Sequence, residues 1–390
     1  MPATQITDKM VTNFRVENYK SIEKLSINLG RVNVLIGENG CGKSNVLEAF
    51  ALASATLQDK LDNEFLTSRG IRVTKPELMR AAFDHKNTAA PVKFSLTSGT
   101  ADAFEFEIVN DNKPYSKWYG SMSKVPDNHL QSVPLSLIFD IADLDDNLAK
   151  ERILELRKMR AEIRAFQSFT DFLIYSPENT SLRTFEKEGQ IEPLGIYGEG
   201  LFKLLKYFAS QPDLKELQEV KKHLGLFDWF TDFTLPERLF EGESFIQIKD
   251  RFLDPEVAYF DQRSSNEGFL FVLFYTALLI SDKTPRFFAI DNIEASLNPK
   301  LCTKLVKNIA ALSKKHDKQL IITTHSPSVL DGLDLNDPEQ KLFLVYRNKP
   351  GKTTIKPIEK PNPIEGQQPV KLSEAFLRGY LGGLPKNFSL

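Results

Sequence analysis

"VNVLIGENGCGKS", Val32 to Ser44, decides how this chain of 390 residues is read. Its first half, Val32 to Gly37, is a near-continuous apolar run, as a strand buried on both faces requires. The run breaks at Gly37, Gly40 and Gly42 and closes on Lys43 and Ser44, matching G-x-x-x-x-G-K-[ST]. The continuation, "KSNVLEAFALASATL", is rich in helix formers, with Val46, Leu47, Phe50 and Ser54 on roughly one face. Strand, glycine loop and helix in that order form the context in which the pattern cradles a triphosphate. Glycines let backbone N–H groups close around phosphates, and the helix N-terminus adds partial positive charge. Gly37, Glu38, Asn39, Gly40, Cys41, Gly42, Lys43, Ser44 and Asn45 are therefore the candidate ATP-binding residues. Lys43 is expected to reach the β- and γ-phosphates, and the Ser44 hydroxyl to ligate Mg²⁺.

Upstream, Phe14 and Val16, then Leu25, Ile27 and Leu29, recur at period two and predict strands. Downstream, "VKFSL" and "FEFEIV" alternate in the same way and predict an antiparallel pair. From about Ala142 to Phe166 the pattern turns helical, with Ile153, Leu156, Met159, Ile163 and Phe166 at three- and four-residue steps. That stripe is too brief for a long coiled coil. A further helix is expected over Glu199–Ala209, and Asp213–Glu243 reads as helical, then aromatic and irregular. Within it "FDWFTDF", Phe227 to Phe233, reads as a packed mini-core more readily than as a partner-facing patch. From Val257 onward come "VAYFDQRSSNEG", the apolar run Gly268–Ile280, the strand "RFFAID", a helix, and the strands "QLIITTH" and "KLFLVYRN". The apolar run is too short to span a bilayer and reads as a buried helix. Alternating strands and helices imply an α/β fold with a mostly parallel sheet plus an antiparallel β lobe. The chain divides into an N-terminal lobe (1–135), a mainly helical insertion or lid (136–255), a C-terminal lobe (256–350) and a tail (351–390).

Hydrophobic residues make up 41% and charged residues 26%, as in an ordinary soluble globular protein. A net charge of -2 gives no global basic field to draw the chain to nucleic acid or anionic lipid. Two cysteines are too few for a disulfide framework or a zinc site, and a reducing cytoplasm fits best. The opening residues show no secretion signal, and no membrane partner is expected.

"RFFAIDNIEASLNP", Arg286 to Pro299, supplies the second half of the site. An aspartate ending a parallel strand beside the glycine loop's strand would sit next to the Mg²⁺, so Asp291 and Ser44 are the candidate metal ligands. Asn292 holds the next position, and an amide cannot take a proton from water near neutral pH. Glu294 reads either as a rescuing base, if the strand end bends, or as a polar contact at a helix start. His325, at the end of "QLIITTH", can donate to the γ-phosphate or orient water.

The order of these motifs resembles an ABC-type ATPase head of the RecF/SMC-like branch, a P-loop NTPase. It is most similar to the bacterial AAA-domain ATPases related to OLD proteins. "FRVENYKSIEKLSINLGRVNVLIGENGCGKSNVLEAF" is close to that branch's opening, and "YGEGL", Tyr197 to Leu201, resembles a segment after its helical insert. The likeness covers roughly residues 13–60 and 255–346. It implies two lobes and a nucleotide bound by one subunit and capped by the signature of a second. "SSNEG" would be that signature, with Ser265, Asn266 and Gly268 meeting the γ-phosphate across a dimer. Lys20 matches the basic residue of the opening motif, Ala295 to Asn298 the D-loop, and His325 the switch histidine. Asn266 stands where the signature serine usually is, and Asn292 stands where the family has its Walker B glutamate. Losing a positioned base costs on the order of 10²–10⁴-fold in rate. Asn292, Glu294 and His325 are thus the residues on which hydrolysis turns.

The resemblance implies an ATP hydrolase that turns over slowly and acts as an ATP-dependent switch. It would work as a homodimer or higher oligomer that controls a separately encoded nuclease or other effector, in antiphage defence or DNA-damage surveillance. The alternative is a RecF-like repair ATPase stimulated by duplex DNA. No intrinsic nuclease is expected, because "DGLDLNDPE", Asp331 to Glu339, reads as a solvated turn and lacks the layout of the OLD nuclease domain.

Overall fold

The computed structural model describes residues 10–99, 103–122, 133–135, 157, 160–184, 192–236, 245–257, 259–360 and 370–381. Alternation of apolar and polar residues makes β1 (Asn13–Tyr19) and β2 (Ile22–Asn28) strands with one buried face. They pair antiparallel with Phe14 opposite Ile27 and Val16 opposite Leu25. β4 (Val92–Thr97), β5 (Phe104–Val109), β6 (Tyr119–Met122) and β7 (Val133–Pro134) extend them into an antiparallel sheet of order β2-β1-β4-β5-β6-β7.

The second sheet is built on β3 (Val32–Ile36), whose five residues are all buried. Its other members are β8 (Ile174–Tyr175), β12 (Phe287–Ile290), β13 (Gln319–Thr324), β14 (Gln340–Arg347) and β15 (Thr353–Ile358). The order is β15-β14-β3-β13-β12-β8, parallel throughout except for β15. A small antiparallel sheet joins β9 (Phe230–Thr234), β10 (Gln247–Asp250) and β11 (Tyr259–Asp261).

Helix α1 (Lys43–Leu57) lies between the two large sheets, and every residue from Val46 to Leu57 is buried. Its Phe50 stacks on Phe14 of one sheet at 3.8 Å and meets Phe287 of the other edge-on at 5.9 Å. The opposite face of the parallel sheet carries α2 (Leu201–Ser210), α3 (Lys215–Leu224), α4 (Glu267–Ile280) and α5 (Pro299–Lys315). α4 is apolar all round because it is buried all round, and among the described residues no helix is long and apolar enough to cross a membrane.

Two sequence expectations are adjusted. The segment read as mainly helical contributes β8 to the parallel sheet and carries β9 and β10. In that segment Ile163 and Phe166 are buried, whereas Ile153, Leu156 and Met159 lie outside the described residues. "FDWFTDF" packs, in line with the mini-core reading: it runs into β9, and Phe227, Trp229, Phe230 and Phe233 pack on the α4 core, with Trp229 and Phe269 rings 5.1 Å apart. The tail contributes a strand that the sequence reading did not assign: β15 hydrogen-bonds along β14, from Leu342 opposite Ile358 to Arg347 opposite Thr353. Pro357 is tolerated there because β15 is an edge strand.

Candidate nucleotide site

The glycine loop follows β3 where β14 and β15 press against it. A Cβ on Gly37 would lie 2.1 Å from the Val345 carbonyl oxygen. Gly42 has φ +106°, and a Cβ there would lie 2.1 Å from the Thr353 hydroxyl. Thr353 donates to the Cys41 carbonyl at 2.8 Å, and Arg347 Nε donates to the Gly40 carbonyl at 2.8 Å. The loop is thus anchored from the hairpin beside it. α1 then begins with no side-chain cap and no acidic residue in its first turn. Its first N–H groups and its dipole are left for an anion.

Lys43 is 5% exposed. Its ammonium donates to the carbonyls of Gly37 at 2.9 Å and Glu38 at 3.0 Å, and lies 3.3 Å from His325 Nδ1. Burial lowers the pKa of Lys43. Burial first, then the nearby Lys43 charge, lowers that of His325. An ammonium can only donate, so Nδ1 of the neutral ring accepts and the ring proton sits on Nε2.

Ser44 Oγ donates to Asp291 Oδ2 at 3.3 Å. β12, which Asp291 follows, is not the neighbour of β3, because β13 runs between them. Thr323 of β13 bridges the gap: its hydroxyl donates to Asp291 Oδ1 and accepts from the Asn292 N–H at 2.9 Å. Asn292 is exposed and has φ +54°, a left-handed conformation that asparagine tolerates better than most residues. The chain then turns so that Ile293 is buried and Glu294 swings under His325. One Glu294 oxygen accepts the His325 backbone N–H at 2.6 Å, and the other is buried without a hydrogen-bond partner among the described residues. The polar contact at this turn is therefore made to the backbone of His325.

Direct hydrogen bonds link Lys43 to the Gly37–Ser44 loop and to His325, Ser44 to Asp291, and His325 to Glu294. Among the described residues no hydrogen bond joins Ser264–Gly268 to that loop. Asn266 instead caps α4, accepting the Phe269 N–H at 2.8 Å, while its NH₂ group makes no hydrogen bond among the described residues. Ser265 is buried beside it. Glu267 accepts from Ser296 Oγ at 2.6 Å, and a Cβ on Gly268 would lie 3.3 Å from the Ser296 carbonyl oxygen. The signature segment and the Ala295–Asn298 loop are thus packed together within one chain. Asn298 caps α5 by accepting the Leu301 N–H at 2.9 Å. Asn298→Ala is expected to lower stability by about 1 kcal/mol in a denaturant titration.

Lys20 faces α1. Its ammonium lies on the Glu48 carboxylate and donates to the Arg72 carbonyl at 2.8 Å, rather than meeting the loop. Glu48 also accepts from Tyr19 at 3.2 Å and from Arg72 Nε at 2.5 Å, and Arg72 reaches Asn45 Oδ1 at 3.0 Å. Thr323, Glu48 and Arg72 went unread in the sequence. Glu48 stands one helical turn past Ser44 on the same face of α1, a spacing that could have flagged it. For Thr323 and Arg72 no comparable signal exists.

The donor set suits a nucleotide with Mg²⁺. Magnesium prefers few protein ligands, typically a carboxylate and a hydroxyl, with phosphate and water filling its octahedron. Asp291 and Ser44 provide that pair, and Gly37–Ser44 provides the phosphate cradle.

A family profile described as "AAA domain, putative AbiEii toxin, Type IV TA system" matches residues 32–331. A comparison with curated proteins finds no match. Among solved structures, the chain is similar to an Smc head bound to the C-terminal winged-helix domain of ScpA. Identity is 14%, with 90% of this chain and 98% of that one covered at a TM-score of 0.53. It is also similar to the Pyrococcus furiosus Smc head with an extended coiled coil, bound to the ScpA C-terminal domain. There identity is 14%, coverage 90% and 96%, and the TM-score 0.50.

Proposed function

We propose that this chain, which belongs to the AAA-domain family whose profile it matches over residues 32–331, is an ATP-dependent dimerisation switch. The fold is that of an Smc-like ATPase head, and ATP binding is the family's general property. The observation that carries the reading is Ser44 on Asp291 at 3.3 Å with Lys43 buried in the loop before it. In this reading the Gly37–Ser44 loop and the N-terminus of α1 take the phosphates, and Lys43 leaves its two carbonyls for the β- and γ-oxygens. Mg²⁺, when bound, neutralises charge between those oxygens, and Ser44 and Asp291 are the groups that would hold it. His325, kept neutral by burial and by Lys43, holds its Nε2 proton as a donor.

Two features support assembly around ATP. The signature segment makes no hydrogen bond to its own loop among the described residues, and Asn266 keeps its NH₂ group for another partner. A second copy would bring Ser265, Asn266 and Gly268 to the nucleotide. Asn292 cannot serve as a base, and Glu294 holds the His325 N–H with one oxygen while the other is shut away from solvent, so in this reading hydrolysis is slow and the ATP-bound dimer long-lived. The family's description names a toxin of a type IV toxin–antitoxin system, and the two Smc heads carry ScpA as a partner. The ScpA-bound heads support a separate protein partner, an effector that this reading places in antiphage defence or DNA-damage surveillance.

The test is the size distribution with and without ATP and Mg²⁺, for wild type and Lys43→Ala. Wild type is expected to shift to dimer or larger with ATP, and Lys43→Ala to stay unchanged. A wild type whose size ignores ATP removes the basis of the switch.

A further inference from the structure

Large apolar side chains stand in water at one turn of the small sheet. Between β10 and β11, Phe252 is 71% exposed and Val257 67%, and Leu253 and Tyr259 are exposed beside them. Among the described residues no other stretch of this length exposes four such side chains. The turn's shape is held by its own hydrogen bonds. Asp250 accepts the Phe252 N–H at 2.9 Å, and Asp254 accepts the Glu256 N–H at 2.9 Å. The Arg251 N–H donates to the Trp229 carbonyl at 3.0 Å. Asp254 and Glu256 are exposed between the apolar residues, and among the described residues neither has an ion pair. A pre-shaped apolar tip rimmed by acid has the make-up of a protein–protein contact.

The tip stands at a set distance from "SSNEG". β11 runs from Tyr259 to Asp261, so one short strand, about 10 Å, separates the apolar turn from that segment. Asp261 fixes the junction by accepting the Ser264 N–H at 3.0 Å. A second apolar patch lies beside the glycine loop. Leu78, in the short Pro76–Met79 helix, is 56% exposed, and Phe83 is exposed just after it. A Cβ on Gly351 would lie 3.8 Å from Phe83 Cε1. Arg347 donates to the Gly351 carbonyl at 2.9 Å and to the Gly40 carbonyl at 2.8 Å, so one guanidinium joins that neighbourhood to the phosphate loop. Lys86 and Lys349 flank the patch, exposed and without ion pairs among the described residues. Asp84, also exposed there, accepts the Lys86 N–H at 2.9 Å.

The two patches are both apolar and carry opposite free charges, acid on the turn and lysine beside Phe83. We propose that the β10–β11 turn of one copy docks on the Leu78 and Phe83 patch of a second copy of this chain. The proposal rests on the ATP-dependent dimer proposed above and names the surface that completes it. In that dimer Ser265, Asn266 and Gly268 of one copy approach the glycine loop of the other. The tip, one short strand away from those residues, then arrives beside the patch that Arg347 ties to the loop. Phe252 and Val257 bury apolar surface against Leu78 and Phe83, and Asp254 and Glu256 meet Lys86 and Lys349. Two-fold symmetry forms the contact twice. The dimer is thus held by anchors outside the nucleotide itself, and β11 connects those anchors directly to the segment that caps the nucleotide.

The experiment mixes two variants, Glu256→Cys and Lys86→Cys, and treats them with a short bis-maleimide, with and without ATP and Mg²⁺. The native Cys41 and Cys302 are buried, so the reagent reports on the introduced pair. The expected result is a cross-link between the two variants that needs ATP and is missing from either variant alone. Size distributions supply a second measurement. The double variant Phe252→Ser, Val257→Ser is expected to weaken ATP-dependent dimerisation roughly tenfold or more, as loss of interface anchors does. A fluorescent ATP analogue should still bind its dilute monomer as it binds wild type. Self-linking of Glu256→Cys, an ATP-driven size shift without the mixed cross-link, or unchanged dimerisation of the serine double variant would each overturn the docking and leave the switch standing. A wild type whose size ignores ATP would remove the switch and the docking with it.

Discussion

Asn292→Glu is expected to raise steady-state ATP turnover by about 10²–10⁴-fold, the size of effect a positioned general base supplies. The surrounding parts are in place: Ser44 on Asp291, Lys43 in its loop, and His325 3.3 Å from Lys43. What position 292 lacks is a group that accepts a proton. The substitution has a structural cost, because residue 292 sits at φ +54° and only glycine, asparagine and aspartate occupy that region readily. A glutamate there should lower stability by about 1–2 kcal/mol while adding the missing base. Phosphate release and thermal melting on the same samples separate the two effects. Glu294→Gln is the companion variant. It keeps a carbonyl oxygen for the His325 N–H, so turnover should stay within roughly tenfold of wild type if Glu294 is a positioning residue. A brisk wild type that loses turnover in Glu294→Gln would transfer the base to Glu294 and reverse this assignment.

Gly42→Val is expected to abolish nucleotide binding altogether. Gly42 has φ +106°, and any Cβ there would lie 2.1 Å from the Thr353 hydroxyl. A β-branched residue is among the worst for a left-handed conformation. To make room Thr353 would have to move, and Thr353 holds the Cys41 carbonyl at 2.8 Å and Ser21 at 2.7 Å. The loop would lose its anchor and its helix start together. Backbone strain alone accounts for a loss of about 1–2 kcal/mol in stability, before any clash is counted. A fluorescent ATP analogue titrated against wild type and variant checks the expectation. A variant that binds as wild type does would mean the loop's shape is not set by the hairpin beside it.

Much of the site was readable in advance because its signals are local. The glycine loop announces itself through residues that tolerate left-handed backbone, followed by a lysine and a serine at fixed spacing. His325 and Asp291 could be found at strand ends because buried strands read as apolar runs. The contact that Lys20 makes has no local signal. Its partner, Glu48, is 28 residues away in sequence, and nothing in either neighbourhood marks the pair. Thr323 is a similar case, since its role depends on β13 lying between β3 and β12. β15 carries no strand signal of its own, because its six residues mix threonine, lysine and proline, and its pairing with β14 supplies what its composition does not.

Glu294 marks the boundary between the two kinds of information. The order D-N-I-E states that the carboxylate is two residues late, and that much belongs to the chain alone. Which way the carboxylate points depends on the left-handed turn at Asn292 and on the position of the β13 end, with its His325 N–H at 2.6 Å. Linear order was enough for the α/β class and the glycine loop, since each rests on periodicity or backbone tolerance within a few residues. Folding had to establish that β13 separates the two halves of the site and that Lys20 faces Glu48. It also set the Thr323 hydroxyl between Asp291 and the Asn292 N–H. Those facts depend on contacts between distant segments, which packing fixes and local pattern does not encode.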